Sequence, residues 1–238
     1  RMIAQAAPDI IGFQEVEAVQ ADWLKAEFPS HTFHGVGRAD GVRRGEFAPI
    51  MFRTSRFSLE REGHFWLSET PEVAGSRGWD GACERMASWV LLEDQTCDRT
   101  LFVINTHLDH VGQLARRNGL ALIRTRIDAL AADACILVTG DFNLAADSDL
   151  ARTLMHPPHD GGRALTDTFR AVFPSRDTDE ATFNGWNRVI DGDRIDWILA
   201  SPQFNVLGAS IERARPGDRF ASDHFMVTAS LRYQPTPP

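Results

Sequence analysis

The sequence predicts an α/β fold in which two sheets carry helices on their outer faces. Three observations predict it. Runs rich in β-branched and aromatic residues recur along the chain, among them IIGF, RMASWVLLED, TLFVINTHL and FMVTASLRY, a composition that fits a pleated, half-buried surface. A long amphipathic helix separates two strongly apolar strands, an order that lays helix over sheet. No repeat, low-complexity segment or linker divides the 238 residues, so a single domain over 1–238 is expected.

The elements follow in order. Residues 1–7 close a helix, and Pro8 turns the chain into a strand, IIGFQE, since helical backbone is disfavoured before proline. Residues 17–28 return to helical spacing, with Val19 and Trp23, then Leu24 and Phe28, as i,i+4 pairs. GVGRADGVRRGE is a surface loop or hairpin, FAPIMFR and RFSLEREGHFWL are antiparallel strands, and SETPEVAGSRGWDGA is a long loop. RMASWVLLED and TLFVINTHL are consecutive strands joined by DQTCDR. Between Gln113 and Ala132, Leu114, Leu120, Ile123, Ile127 and Leu130 form an apolar stripe, with Arg116, Arg117, Arg124, Arg126 and Asp128 mostly off it. The strand CILVTG follows, then a short helix at 149–155, a loop at 156–163 and the strand RIDWILA. IERAR is an edge strand or turn, FMVTASLRY is the last strand, and QPTPP trails behind it.

Composition and charge exclude several functions. Hydrophobic residues are 43% and charged residues 24% of the chain, which rules out a disordered or collagen-like protein. Lys and Arg number 25 against 33 Asp and Glu, a net charge of -8. The densest basic clusters are only Arg43-Arg44 and Arg116-Arg117, so tight binding to a long phosphate backbone is disfavoured, although a locally positive cleft stays open as an alternative. Cys83, Cys97 and Cys135 lack metal-ligand spacing, and Cys135 reads as a small buried hydrophobe. No apolar run approaches a membrane span and no signal peptide is visible. The compartment, cytoplasmic or exported, is left open, and a monomer is the default.

A polar cluster beside an apolar strand occurs five times: Gln14-Glu15, Asn105 to His110, Asp141-Phe142-Asn143, Asp196, and Ser222-Asp223-His224. Ligand sites gather where strand ends and loops converge. Glu15, Asp141, Asp196 and Asp223 are oxygen donors suited to Mg²⁺ or Mn²⁺. Carboxylates combined with His107, His224 and Asn143 fit hydrolysis of a phosphate ester: a bound cation takes charge from the phosphoryl oxygens, a carboxylate orients water, and a histidine donates to the phosphoryl or leaving group.

The motifs FQE at 13–15, NTHLDH at 105–110, GDFN at 140–143, RIDWI at 194–198 and SDH at 222–224 make the chain similar to the endonuclease/exonuclease/phosphatase superfamily. In order and separation they match the family and span nearly the whole chain. The resemblance implies a deoxyribonuclease I-like, four-layer α/β/β/α sandwich with two packed, mixed or mostly antiparallel sheets. It implies a single Mg²⁺ held by Glu15, with Asp223 or Asp141 as further ligands. It also implies that Asp141 positions the attacking water, Asn143 holds phosphate or water, and His107 contacts the phosphoryl group. Asp196 contributes to phosphate or metal geometry, Asp223 orients the adjoining histidine or approaches the metal, and His224 stands beside the scissile phosphate. A binding-only relative would lack one of Glu15, Asp141, Asn143, Asp223 or His224, and all five are present. The family's opening strand, which carries an asparagine upstream of the QE motif, has no counterpart here, so the resemblance implies a native segment before Arg1.

Other residues carry weaker signals. Arg85 opens a strand, and its fork suits phosphate; Trp79, Asn184 and Trp186 lie in loops where they could line a substrate. Gln14 supports Glu15 or the phosphate side, and Asp109 and His110 orient their loop or a catalytic partner. Asp196 has a purely structural alternative, pairing with neighbouring Arg194. His31, His34, His156 and His159 are expected in loops or near the surface, and His64 in packing. The loop WLSETPEVAGSRGWD before RMASW and NTHLDH resembles a bacterial subgroup nearer to deadenylases and sphingomyelinases than to abasic-site enzymes. The expected activity is therefore Mg²⁺-dependent phosphoester hydrolysis on a small or lipid-linked substrate, with a nuclease acting on DNA or RNA as the alternative.

Overall fold

The apolar runs become strands, and the amphipathic run becomes the longest helix, in a computed structural model that describes residues 2–156, 162–187, 189–214 and 220–235. In chain order the elements are α1 (Met2–Ala6), β1 (Ile10–Gly12), α2 (Ala18–Glu27), β2 (His31–His34), β3 (Ile50–Arg53), β4 (Phe57–Trp66), β5 (Met86–Asp94) and β6 (Arg99–His107). Then come α3 (Gln113–Leu130), β7 (Cys135–Asp141), α4 (Asp149–Met155), β8 (Thr166–Asp167), α5 (Thr168–Val172), β9 (Asp196–Ala200), β10 (Phe204–Glu212) and β11 (Met226–Tyr233). Contacts group the chain into two units, Pro8–Asn143 and Leu144–Pro238 together with Arg1–Ala7.

Within Pro8–Asn143, β1, β3 and β2 form an antiparallel sheet, with Ile11 opposite Met51 and Phe33 opposite Met51. Val16, Ala21, Leu24, Phe47 and Met51 pack as its buried cluster. A second sheet runs β4, β5, β6, β7, antiparallel until β6 meets β7 in parallel. That reversal requires a crossover, which α3 provides. The buried positions of α3 include Ala115, Leu120, Ile123 and Ile127. Two positions depart from the expected stripe: Leu114 is 37% exposed, whereas Arg124 is buried. Arg124 tolerates burial because its Nε donates to Asp128 Oδ2 one turn on, at 3.1 Å.

In the other unit, β8 pairs antiparallel with β9, and β10 with β11. Arg194 is buried against Asp167, which accepts from it at 2.5 Å and also caps α5 through Phe169 N. Of the segment IERAR, Ile211 and Glu212 close β10, which starts seven residues earlier, at Phe204. The 156–163 loop, the end of IERAR, His159 and the QPTPP tail fall wholly or partly outside the described residues. The α/β class with mixed and antiparallel sheets is the one the sequence predicts.

Candidate active site

Strand periodicity groups the polar residues of the Pro8–Asn143 unit. Side chains two apart share a face, so Asn105 and His107 on β6 lie together, with Thr139 and Asp141 as their register partners on β7. These are the carboxyl ends of parallel strands, the place where ligands bind in α/β sheets. His107 Nε2 is 3.3 Å from Asp141 Oδ2, and Leu108 N donates to Asp141 O at 2.9 Å. Asn143 closes the turn: its N donates to Asp141 Oδ1 at 2.9 Å and its Nδ2 to Leu108 O at 3.0 Å. Asp141 is thereby fixed in both backbone and side chain.

Asn105, at 0% exposure, is the hub beneath this surface. Its Oδ1 accepts from Gln14 Nε2 and Thr139 Oγ1, both at 2.8 Å. Its Nδ2 donates to Phe13 O at 2.7 Å and Pro49 O at 3.1 Å. Three segments are thus tied to one amide, a fully satisfied buried group that fixes the backbone leading to Glu15. Gln14 therefore supports Glu15 through Asn105.

Glu15 is exposed and adopts φ 56°, a conformation costly for a residue with a Cβ. Among the described residues six non-glycines have positive φ, and four of them, Glu15, Trp79, Asn143 and Trp186, are residues singled out from the sequence. Strain concentrated in this way marks functional positions. Ligand atoms of Glu15, Glu46 and His107 lie within 4.8 Å of one another. Two carboxylates and an imidazole fit a divalent cation with oxygen-rich coordination. Sequence reasoning paired Glu15 with Asp141 or Asp223, yet in this unit its neighbours are Glu46 and His107. Glu46 lay in plain sight, a polar residue just before the apolar run FAPIMF. Arg38 Nη1 pairs with Glu46 Oε2 at 2.5 Å.

Arg85 is not the solvated residue that a strand opening allows: it is 6% exposed. Its Nη2 meets His110 Nδ1 at 3.0 Å, and its Nε is 3.7 Å from Asp109 Oδ2. Asp109 is held by its own loop, with Val111 N and Gly112 N on Oδ1 and Ala82 N on Oδ2. Although burial acts to raise it, these backbone donors bring the Asp109 carboxyl down to about 2. Cys83, Asp109 and His110 also form a ligand-like group, but burial pushes the Cys83 thiol up, so it is no ready thiolate. Trp79 is half-buried, and its N donates to Glu69 at 3.2 Å.

In the other unit, His224 Nδ1 donates to Asp196 Oδ2 at 2.8 Å. The carboxylate that orients His224 is therefore Asp196, where the resemblance offered Asp223. The alternative that Asp196 merely pairs with Arg194 is also corrected, because Arg194 is engaged by Asp167. Thr182 Oγ1 holds the backbone of Asp196, accepting from its N at 3.1 Å. Asp223 serves through its carbonyl, which accepts from Asn184 N at 2.7 Å and Gly185 N at 3.1 Å. Asn184 is buried at 1% exposure, accepting from Trp186 N at 2.9 Å and donating to Ser222 O at 3.2 Å. It clamps the loop that presents Trp186, 61% exposed. The Phe183 ring meets His224 edge-on at 5.2 Å.

Among the histidines expected near the surface, His156 is exposed and His31 half-buried, but His34 is buried, stacked on His64 at 4.5 Å. The three cysteines are free, with Cys135 buried. No described helix is long and apolar enough to cross a membrane.

The model of the endonuclease/exonuclease/phosphatase family matches residues 1–224. A family protein of known structure from Bacteroides vulgatus is 32% identical with a TM-score of 0.87, covering 98% of this chain and 88% of its own. A mannosyl-6-phosphatase from Bacteroides thetaiotaomicron is 30% identical with a TM-score of 0.84, over 98% of this chain and 88% of its own. A D. rerio TDP2 complexed with a single-strand DNA product, at 19% identity and a TM-score of 0.74 over 97% of this chain and 88% of its own, shares the fold. Among curated proteins nothing matches. The chain belongs to the endonuclease/exonuclease/phosphatase family. It is a hydrolase of phosphate esters, with candidate metal-coordinating clusters.

Proposed function

We propose that the protein is a Mg²⁺-dependent phosphoesterase acting on small or lipid-linked phosphate esters by in-line attack of water. The carrying observation is the Glu15, Glu46 and His107 donor group beside the His107–Asp141 pair. Glu15 and Glu46 would hold the cation, which when bound supplies charge neutralisation at the phosphoryl oxygens. Asp141 accepts a proton from the attacking water, and Asn143 fixes the angle of that carboxylate through its backbone N–H. His107 donates to a phosphoryl oxygen. His224 transfers a proton at Nε2: the carboxylate of Asp196 takes the Nδ1 proton's hydrogen bond, which leaves Nε2 for the substrate.

The net charge of -8 supports a compact substrate over a polymer, and so does the 30% identical relative described as a mannosyl-6-phosphatase. The test is a panel of sugar phosphates, nucleotides, phosphodiester lipid analogues, and labelled DNA and RNA, each with Mg²⁺ and with chelator. Turnover confined to small or lipid esters supports the reading. Metal-dependent strand cleavage at low salt, with small esters untouched, replaces it with the nuclease.

A further inference from the structure

Arg85 presents a problem that the roles assigned above leave unsolved. Its side chain is 7% exposed, and its Nε and Nη1 have no hydrogen-bond partner. A buried guanidinium with unmade hydrogen bonds is costly unless something else completes it. Asp109 does not, because both its oxygens are taken by backbone N–H groups and Arg85 Nε stands 3.7 Å off. The one hydrogen bond Arg85 makes runs from Nη2 to His110 Nδ1. A guanidinium can only donate, so His110 Nδ1 accepts and the ring carries its proton on Nε2. His110 is exposed, and that N–H is a fixed outward donor. Arg85 and His110 thus pair a cation carrying vacant donors with a locked neutral donor, and neither offers an acceptor.

This donor set lies beside the end of β6 that carries His107, since Ala87 is the register partner of Thr106 and Thr106 Oγ1 donates to Met86 O at 3.0 Å. Arg38 is paired with Glu46, whereas Arg85 meets Asp109 only at 3.7 Å, beyond hydrogen-bond reach, and keeps two donors without an acceptor. We propose that Arg85 and His110 form an anion subsite that selects phosphate monoesters over diesters. A monoester brings three non-bridging oxygens and close to two negative charges at neutral pH, and a diester brings two such oxygens and one charge. A guanidinium with two unmatched donors and a donor-only imidazole match the additional oxygen and charge. The inference rests on the phosphoesterase reading and narrows its substrate class.

The experiment compares kcat/KM for 4-nitrophenyl phosphate and bis(4-nitrophenyl) phosphate in wild type, Arg85→Gln, Arg85→Lys and His110→Phe. Calorimetric binding of inorganic phosphate, with Mg²⁺ and with chelator, runs alongside. Arg85→Gln lowers monoester kcat/KM by about 100-fold, while the diester changes by less than about 5-fold, as expected for lost charge-assisted hydrogen bonds. Arg85→Lys recovers part of the loss, and phosphate binding weakens in parallel with the monoester rate. His110→Phe lowers monoester turnover by about 10-fold, and thermal unfolding of the variant separates this loss from destabilisation of the buried Arg85. Equal losses on both esters, or none, overturn the inference. If wild type turns over neither ester yet binds phosphate in an Arg85-dependent way, the phosphoesterase reading fails and the anion subsite stands. Absence of both turnover and phosphate binding removes both.

Discussion

Asp196 Oδ2 accepts a 2.8 Å hydrogen bond from His224 Nδ1. This bond decides which nitrogen of the ring faces outward, because a carboxylate that accepts from Nδ1–H leaves Nε2 as the working atom. His224→Ala and Asp196→Ala are each expected to lower kcat by about 100- to 10,000-fold. The double variant should lose little more than the worse single one, since residues that act as a unit are not additive. Independent, multiplying losses in steady-state kinetics would separate the two residues.

Glu46 makes a sharper test of the cation site than Glu15, because the family resemblance did not call for it. Its removal takes one of the two carboxylates from the donor group. Glu46→Gln is expected to raise the Mg²⁺ concentration for half-maximal activity, and the calorimetric Kd for Mn²⁺, by about 10- to 100-fold. Unchanged metal dependence would assign Glu46 to Arg38 alone.

Much of the site could be read from the sequence, because polar residues closing an apolar strand are costly unless used. His107, Asp141, Asn143 and His224 come from such clusters, and each meets a partner at the strand ends. Pairings across long sequence separations were not legible. That Asp196 and not Asp223 orients His224 depends on how β9 meets the loop before β11, and spacing does not encode this. Asn105 and Glu46 belonged to visible patterns, but their weight comes from contacts between distant segments, such as Gln14 to Asn105, 91 residues apart. Short elements also escaped. HTFH of β2 offers only one large apolar residue, and β8 has only two residues, too few for any period to show.

The stacked histidines carry a pH dependence. Burial holds both rings below their usual range, His64 at about 4 with the charge of His34 as the smaller cause. Glu62, 2.8 Å from His34 Nδ1, opposes the effect for that ring. An unfolded histidine titrates near 6.5, so between that value and about 4 the unfolded chain binds more protons than the folded one. The His64 contribution is therefore complete above the unfolded value and lost as pH falls towards about 4. Urea unfolding at pH 7 and pH 4.5 should show wild type losing on the order of 2 kcal/mol more than His64→Leu. Parallel losses would contradict this assignment.

Gly12 ends β1 where the backbone passes over Asn105. A Cβ there would lie 2.2 Å from Thr139 Oγ1 and 2.5 Å from Asn105 Oδ1. Neither group can retreat without breaking the hydrogen bonds that position the chain before Glu15. Gly12→Ala should destabilise by about 2 to 4 kcal/mol and lower activity in the fraction that folds. Thermal unfolding with wild-type Tm would show that the strand yields more easily than its contacts indicate.

The central claim is that carboxylates at the strand ends hydrolyse a phosphate ester with the help of a divalent cation. Its most direct test is release of inorganic phosphate from a sugar phosphate by wild type and Asp141→Asn, in Mg²⁺ and in chelator. The account predicts turnover by wild type in Mg²⁺ that chelator abolishes and Asp141→Asn reduces by at least about 1,000-fold. Turnover that persists in chelator, or that Asp141→Asn leaves intact, would contradict it.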